Sequence, residues 1–388
     1  MTTSELGRIP GPPQQRTGDS PPPASPPATA PPSTALPSAP PTAALPTAAA
    51  PAGVRPAQRW RRPLPPVERV RPGLWSLPIP LPFARPSYTL MYVIESLDGP
   101  YLIDAGWDWD EAFAALEDGL ALIGTSVPEV RGVLVTHAHL DHYGMAARIR
   151  AASGAWVSLH PLDDDLLARA RHGLADRLSD VLDGAGVPGD IAERLLTAEH
   201  LAPHSLPRPD ILLEDGDQPD IPGWELRTLW TPGHSPGHVN FWEPAHRLLL
   251  SGDHVLPTTA VGTPVPDDLN PDPLGDHLRS LARLRGLDAT EVLPAHEHRF
   301  TDLEGRLDAL ETHHRGRLDE VVEGLRAGAT TVWELAAFIT WHRPLRNLRG
   351  VALQNAVTDT IACLTTLATT GTAHVTRGHP DHWHLTTP

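Results

Sequence analysis

A dense group of metal-ligand side chains lies between residues 137 and 142. His137, His139, Asp141 and His142 follow the short apolar run 132–135, which is typical of a buried β-strand. Alternate residues of an extended chain share a face, so His137 and His139 point the same way, while Asp141 and His142 follow on the turn into the next helix. This spacing predicts that one loop supplies ligands to two adjacent metal ions.

Three further ligand-type side chains follow at wide spacing. His234 lies in a turn rich in Gly and Pro, Asp253 follows the apolar run 248–250, and His296 follows the short run 292–293. A hydrolytic metal site needs three or more protein ligands per metal and an open position for water. Because each residue ends an apolar run or lies on a tight turn, the three are predicted to complete the site at one edge of a sheet.

This series of motifs resembles that of the metallo-β-lactamase fold superfamily, which reads His-x-His-x-Asp-His, then His, Asp and His, here over roughly residues 70–300. The resemblance implies the αββα sandwich of that superfamily. It also implies a division of the ligands. One metal ion would be held by His137, His139 and His234, the other by Asp141, His142 and His296, with Asp253 bridging the two.

Residues around the ligands receive supporting roles from the same resemblance. Asp104 matches the family's buried aspartate after an early strand, which orients the metal loop without binding metal. Thr136 and His238 are interpreted in the same way. Candidate substrate contacts are Trp107 with its neighbour Trp109, Tyr143 and His254, and ordinary packing is the alternative for each.

The ligand set predicts the chemistry. Two divalent cations lower the pKa of a bridging water to near neutrality, and the resulting hydroxide attacks a carbonyl carbon or a phosphorus atom. Asp141 is the predicted catalytic residue, because it can orient that hydroxide as well as bind metal. Ligation by nitrogen and oxygen without thiolate favours zinc, with iron and manganese as alternatives.

Short apolar runs alternate with amphipathic segments between these motifs, which predicts strands and helices of a layered α/β fold. The predicted strands are 88–94, 101–103, 132–135, 156–159, 226–229, 238–242 and 247–250. The predicted helices lie in 111–122, 145–152 and the long stretch 162–196. Three consecutive acids, 163–165, are expected at a helix start, where negative charge is favourable to the helix dipole.

The two ends of the chain differ from this central part. Sixteen of the 45 prolines lie in the first 60 residues, so residues 1–66 are predicted to be a disordered Pro/Ala-rich tail. Residues 67–312 form the predicted metallo-β-lactamase-like catalytic domain. Residues 313–388 carry predicted helices at 314–326, 332–339 and 351–369 and then two short strands, which is the order of a winged-helix-like domain. Five histidines of this last region are expected to be solvated: His313, His314, His379, His382 and His384.

Composition excludes several classes of protein. All 31 basic residues are Arg, so Schiff-base lysine chemistry and Walker-type phosphate loops are absent. The single cysteine, Cys363, cannot form an intramolecular disulfide, which fits a reducing compartment. No run reaches the ~18 apolar residues of a membrane span, and the first ten residues lack the pattern of a secretory signal. We therefore expect a cytoplasmic protein without membrane attachment.

The net charge of the central part of the chain limits the class of substrate. Residues 73–312 carry 16 Arg and 38 acidic residues, a net charge of −22, which disfavours an extended polyanion. Asp359 is the only charged residue in the predicted third C-terminal helix, 351–369, so this helix is expected to pack against the catalytic region and not to read nucleic acid. The sequence favours a small ester, thioester or lactone as substrate. The alternative is an endoribonuclease or phosphodiesterase of the same fold, because the C-terminal extension resembles that of a branch containing both kinds of enzyme. The sequence makes no prediction of oligomeric state.

Overall fold

The computed structural model describes residues 63–83, 85–170, 174–197 and 206–386. The predicted tail therefore lies outside the described residues apart from residues 63–66, which contain neither helix nor strand. From residue 63 onward the described residues belong to one compact unit.

The central part of the described chain contains two β-sheets. The strands of the first are β1 (Glu68–Arg71), β2 (Leu74–Pro80), β3 (Tyr88–Ser96), β4 (Gly99–Ile103), β5 (Gly132–Leu134), β6 (Trp156–Leu159) and β7 (Ile211–Leu212). They lie in chain order across the sheet, antiparallel from β1 to β4 and parallel from β4 to β7. The strands of the second sheet are β8 (Arg227–Trp230), β9 (Val239–Glu243), β10 (Leu248–Gly252) and β11 (Glu291–Pro294). Their order is β11, β10, β9, β8, and β11 runs parallel to β10.

The helices of the described residues are α1 (Asp110–Leu122), α2 (Leu140–Tyr143), α3 (Ala146–Ser153), α4 (Pro161–Ala170), α5 (Leu174–Gly184), α6 (Gly189–Thr197), α7 (Pro273–Leu284), α8 (Leu303–Arg326), α9 (Val332–Ala336) and α10 (Val351–Thr369). Two short strands, β12 (Ala373–Thr376) and β13 (His382–Leu385), form an antiparallel ribbon after α10. None of the described helices is both long and apolar enough to cross a lipid bilayer.

Most predicted elements agree with the structure to within a few residues, but β1, β2, β7, β11, α2 and α7 were not predicted. Two prolines, Pro78 and Pro80, argue against a strand at β2. The structure explains why they are tolerated. The neighbouring strand β1 pairs with β2 only over Leu74–Ser76, so both prolines lie where β2 has no partner on that side and the missing N–H groups interrupt no ladder bond.

Alternation along the strands produces two cores on opposite faces of the first sheet. In β3, Met91 and Val93 pack with α1 and α3, whereas Leu90, Tyr92 and Ile94 pack against the second sheet. Burial on both faces explains why β3 is a nearly continuous apolar run.

The second sheet also has apolar side chains on both faces. In β10, Leu248 and Leu250 face the first sheet, and Leu249 faces Leu281 of α7 and Leu307 of α8. The loops that follow the strands are therefore carried by elements fixed on both sides.

The C-terminal helices α8, α9 and α10 and the β12–β13 ribbon surround a separate apolar core. Helices α5 and α6, which precede the second sheet in the chain, contribute Leu182 and Leu195 to it. Thus a core that the sequence assigns to residues 313–388 also draws on a segment far upstream. Helix α10 contacts the central part of the chain through Asp359, which accepts from Thr263 N, and Thr366, which donates to Asp272, so it packs against that part as predicted.

Two expectations for α8 differ from the structure. The helix begins at Leu303, where the Asp302 side chain accepts a hydrogen bond from Gly305 N, so the predicted domain boundary at 312/313 lies inside a continuous helix. The expectation that His314 is solvated is wrong: it is 2% exposed, because this face of α8 packs on α7 with the His314 ring 5.0 Å from that of His277. The other four histidines of that prediction, His313, His379, His382 and His384, are exposed.

Candidate metal centre

The loop after β5 presents the clustered ligands as the sequence predicts. His137 and His139 lie on the extended segment between β5 and α2, while Asp141 and His142 lie on the single turn of α2. The main-chain N–H of His142 donates to the carbonyl of His139, so the chain reverses direction between the two pairs.

The structure brings all seven predicted ligand residues together in three overlapping groups. In each group, one ligand atom per residue lies within 4.8 Å of the others: His137, His139 and His234; His137, His142 and Asp253; and Asp141, His142 and His296.

Asp253 lies between these groups, at the end of β10. Its Oδ2 is 3.5 Å from His234 Nε2, and its Oδ1 is 3.6 Å from His142 Nε2 and 3.4 Å from His296 Nε2. Across the cluster, Asp141 Oδ2 is 3.2 Å from His296 Nε2. The two oxygens of Asp253 thus face different histidines, which is the placement that a bridging carboxylate needs.

The donor atoms fit divalent cations. His142 Nε2, His234 Nε2 and Asp253 Oδ1 are buried and have no hydrogen-bond partner among the described residues. A buried polar atom without a partner costs about 1–3 kcal/mol, so such atoms favour a bound ligand. Donors bound tetrahedrally to zinc at about 2.0–2.1 Å stand about 3.3 Å apart, which is close to the separations around Asp253.

One carboxylate fixes the orientation of two of these histidines. Asp104 follows β4 with φ 67°, a left-handed conformation that Asp tolerates, and its side chain accepts from Thr136 N at 2.8 Å and from His142 Nδ1 at 2.8 Å. The Thr136 hydroxyl donates to Asp104 at 2.9 Å and can therefore accept from His137 Nδ1 at 3.0 Å. The Nε2 of His142 is thereby left without a partner, and the Nε2 of His137 faces a second ligand nitrogen, Nδ1 of His139, at 2.9 Å, so both Nε2 atoms are directed at the cluster.

Main-chain carbonyls play the same part for two other ligands. His234 Nδ1 donates to Gly262 O at 3.0 Å, and His296 Nδ1 donates to Tyr88 O at 3.2 Å. Both hydrogen bonds again leave Nε2 as the atom that faces the cluster.

His238 positions Asp253 through the main chain. Its Nε2 accepts from Asp253 N at 3.2 Å, and its Nδ1 lies 3.2 Å from the hydroxyl of Thr231. The glycine before Asp253 is required here. Gly252 has φ 50°, and a Cβ on it would lie 2.7 Å from His238 Nε2 and 2.9 Å from the Cβ of Thr136.

Asp163 is a buried connector that sequence reasoning missed. It lies in the first turn of α4, as expected for the acidic triplet, but its carboxylate accepts from Ala138 N at 2.7 Å, Ser235 Oγ at 2.9 Å and Gly237 N at 2.6 Å. It therefore joins the clustered ligand loop to the turn that carries His234. Burial raises the pKa of Asp163 to about 6 in spite of these donors.

The surroundings shift the pKa values of the clustered histidines in opposite directions. Burial, followed by the neighbouring imidazoles, lowers the pKa of His137 well below its usual value, and burial lowers the pKa of His139 to about 3. Burial acts in the same direction on His142 and His296, but nearby carboxylates outweigh it. The pKa of His142 is raised well above its usual value by Asp253, Asp141 and Asp104, and that of His296 is raised to about 10 by Asp253 and Asp141.

The carboxylates respond to the same interactions. Burial would raise the pKa of Asp253, but His296 and His142 hold it well below its usual value, and His142 and His296 lower that of Asp141 to about 2 against the effect of burial. The carboxylates thus favour positive charge at this position, whether it is carried by protons or by metal ions.

The candidate substrate contacts lie in different surroundings. Trp107 is half-buried and packs edge-on against Phe83, with ring centroids 4.9 Å apart. Tyr143 is fully buried and its hydroxyl donates to Pro207 O, while His254 is 1% exposed and lies beside His238 and His277. Phe83, which is 40% exposed, was not singled out in the sequence, because it follows an apparently irregular Pro-rich segment. Contact of any of these residues with substrate stays a prediction.

Known proteins similar to this chain identify its class. The "Probable metallo-hydrolase YqjP" of Bacillus subtilis is 25% identical over 301 residues, which cover 72% of this chain and 92% of that protein. A hydroxyacylglutathione hydrolase of Pseudomonas putida is 28% identical over 204 residues, but these cover only 50% of this chain and 59% of that protein. Together with the clustered His and Asp ligands, these relatives make the protein a metal-dependent hydrolase.

The family follows from a longer match. The chain belongs to the metallo-beta-lactamase superfamily, whose profile matches residues 84–296, more than half of the 388 residues. A solved metallo-beta-lactamase family protein from Thermus thermophilus is 28% identical, with a TM-score of 0.68 over 82% of this chain and 100% of that one. A beta-lactamase domain protein from Burkholderia ambifaria has a TM-score of 0.71 over 82% of this chain and 94% of its own, and at 23% identity it supports the fold alone.

Proposed function

We propose that the protein hydrolyses a small ester, thioester or lactone at a dinuclear centre, with zinc as the metal. The observation that carries this proposal is the convergence of seven ligand side chains, three atoms of which are buried without a hydrogen-bond partner among the described residues. His137, His139 and His234 would hold one ion and Asp141, His142 and His296 the other, with a carboxylate oxygen of Asp253 toward each.

The chain's own residues prepare this centre for hydrolysis. Cations bound there would supply an activated water and polarise the electrophilic oxygen of the substrate. Asp104, Thr136 and the carbonyls behind His234 and His296 keep the ligand nitrogens in one tautomer. Asp141 is the proposed catalytic residue. Its side chain is 21% exposed, more than those of His142, Asp253 or His296, so it can accept a hydrogen bond from the attacking water and orient it.

Charge and neighbouring side chains support a small electrophile. The net charge of −22 over residues 73–312 opposes a polyanionic substrate. Trp107, on the loop that follows β4, forms an edge-on pair with Phe83 that offers an apolar surface. One similar protein is a hydroxyacylglutathione hydrolase, whose named substrate is a thioester, although its match covers only half of this chain.

We also propose the architecture that accompanies this function. The core between the sheets and the two cores on their outer faces support a four-layer αββα sandwich for the catalytic domain, residues 67–312. The order of three helices and a ribbon supports a winged-helix-like domain at 313–388, which shares helix α8 with the sandwich because that helix begins at Leu303. A cytoplasmic location also stays a proposal, and the buried free thiol of Cys363 fits it.

The test combines metal analysis with a substrate panel. The purified full chain is expected to bind two zinc ions and to hydrolyse at least one acyl-thioester, lactone or carboxylic ester. Asp141→Asn should lose this activity, whereas Asp319→Asn, which alters an exposed acid of α8, should retain it. Cleavage of a labelled single-stranded RNA or a phosphodiester without ester hydrolysis would replace the proposal by the nuclease alternative. Absence of bound metal would overturn it.

A further inference from the structure

We propose that Asp359 of α10 is a positioning residue for the metal centre, acting on the ligand His234 through the peptide group between Gly262 and Thr263. The inference rests on the proposed metal-binding role of His234. It assigns to the C-terminal region a part in shaping the site.

The contacts form one continuous chain. His234 Nδ1 donates to the carbonyl oxygen of Gly262 at 3.0 Å. The N–H of the same peptide group, that of Thr263, donates to Asp359 Oδ1 at 2.9 Å. A single peptide group thus accepts from the imidazole on one side and donates to a carboxylate on the other.

The surroundings hold this peptide group in place. The Thr263 hydroxyl also donates to Asp359 Oδ1, at 3.1 Å, and Arg317 of α8 pairs with Asp359 Oδ2 at 2.8 Å. A Cβ on Gly262 would lie 3.6 Å from Asn355 Nδ2 and 3.7 Å from Asp359 Oδ1, so the peptide lies directly on the surface of α10.

The placement of the charge is specific. Asp359 is only 7% exposed and is the one charged residue of Val351–Thr369. Burial of a carboxylate is costly unless it is paired and hydrogen-bonded. A link between α8 and α10 would need only the oxygen that faces Arg317, whereas the other oxygen is directed at the peptide group behind His234.

Hydrogen bonds in series polarise one another. A carboxylate on the N–H side of a peptide group increases the negative charge on its carbonyl oxygen, which strengthens the bond from His234 Nδ1 and makes Nε2 a better metal ligand. His142 receives this support directly from Asp104. For His234 the carboxylate acts from one peptide group away, so its effect should be smaller.

A second contact of the same helix provides a matched control. Thr366 Oγ1 of α10 donates to Asp272 Oδ1 at 2.6 Å, and Asp272 caps the start of α7 without reaching a metal ligand. Loss of this bond should weaken the attachment of α10 but should not change the metal centre.

The experiment compares Asp359→Asn with Thr366→Val in the full chain. Zinc affinity is measured by competition with a chromophoric chelator, the ligand field by the visible spectrum of the cobalt-substituted protein, and stability by the thermal midpoint. Asp359→Asn should weaken binding of one of the two ions by about tenfold, the low end of the range for outer-sphere partners, and should shift the cobalt bands. Thr366→Val should lower the midpoint and leave affinity and spectrum unchanged.

Unchanged affinity and spectrum in Asp359→Asn, with wild-type protein binding two ions, would overturn this inference alone. A wild-type protein that binds no metal would overturn both the proposed function and the inference. If Asp359→Asn does not fold, Asp359→Glu keeps the charge opposite Arg317 but displaces the oxygen from Thr263 N. Weaker zinc binding is then expected, and wild-type affinity in Asp359→Glu would refute the positioning role.

Discussion

Two neighbouring groups of histidines in this protein differ in their surroundings. The ligand histidines direct ring nitrogens toward one another and are surrounded by three carboxylates, those of Asp104, Asp141 and Asp253. The second group, which we call the interior row, consists of His254, His277 and His314, with successive ring centroids 4.6 and 5.0 Å apart. The charges that act on the interior row are those of other histidines and of arginines.

The comparison shows what distinguishes a metal centre from a stack of buried imidazoles. Both groups contain buried ring nitrogens without hydrogen-bond partners among the described residues. In the interior row, burial, followed by the neighbouring cationic groups, lowers the pKa of every member. In the ligand group, carboxylates reverse this effect for His142 and His296. Burial alone disfavours positive charge on the imidazoles, and carboxylates placed among the ligand histidines make positive charge favourable there again.

The largest expected effect comes from exchanging one histidine in each group. His137→Ala should lower bound metal and reduce turnover by more than about 100-fold, beyond the loss of an outer-sphere partner. His277→Leu should keep the metal content of the wild-type protein, because its ring nitrogens face the interior row. Emission spectrometry of dialysed protein measures metal content. Equal metal loss in the two variants would erase the distinction between the groups.

Removal of a carboxylate should weaken the preference of the ligand group for positive charge and so make it more like the interior row. The Asp104 carboxylate accepts hydrogen bonds from His142 Nδ1 and from the Thr136 hydroxyl, and Asp104→Asn removes its negative charge. Metal affinity should therefore fall by about 10- to 100-fold. Chelator competition gives the dissociation constants. A loss smaller than that of Asp359→Asn would contradict the view that a direct carboxylate acts more strongly than one across a peptide group.

The interior row should make the protein acid-sensitive. Burial, with a smaller effect of His234, lowers the pKa of His277 to about 3, so in metal-free protein the unfolded chain binds a proton below about pH 6.5 that the folded chain does not. Stability from this group is therefore complete at neutral pH and is lost as the pH falls. Between pH 7 and 5, wild-type protein in chelator should lose about 2 kcal/mol more unfolding free energy than His277→Leu. Urea titrations at both pH values measure the difference, and parallel losses would remove His277 as the cause.

The smallest effect concerns the buried thiol of Cys363, which gains a negative charge on ionisation, whereas a histidine gains a positive one. Burial, together with the charge of Asp359, raises the pKa of the Cys363 thiol to about 12. The thiolate is the reactive species, so the native protein should not react with a disulfide reagent at pH 8. The denatured protein should react with one equivalent of the reagent per chain. Rapid labelling of native protein would show that the C-terminal core opens readily.

The convergence of the seven predicted ligands could be anticipated, because four of them lie within six residues and each of the other three ends an apolar run or lies on a tight turn. Asp104 and Thr136 were also anticipated as partners that orient these histidines, but the partners of His234 and His296 were not, since they are the main-chain carbonyls of Gly262 and Tyr88, which carry no sequence signal. Asp163 and Asp359 were visible as acids, but their targets lie 25 and 96 residues away in the chain. His314 lies seven residues from both Leu307 and Val321, on the same buried face of α8, but the predicted helix began at residue 314 and so left out the turns that reveal this face.

The length of α8 has a mechanical consequence. Its 24 residues form a rod of about 36 Å whose beginning is anchored under the second sheet through Leu307 and Leu310 and whose end is anchored in the C-terminal core through Val321. A rod fixed at both ends permits no hinge between the parts it joins. The two regions should therefore move and melt as one body, and expression of residues 67–312 alone would sever a shared support instead of releasing a domain.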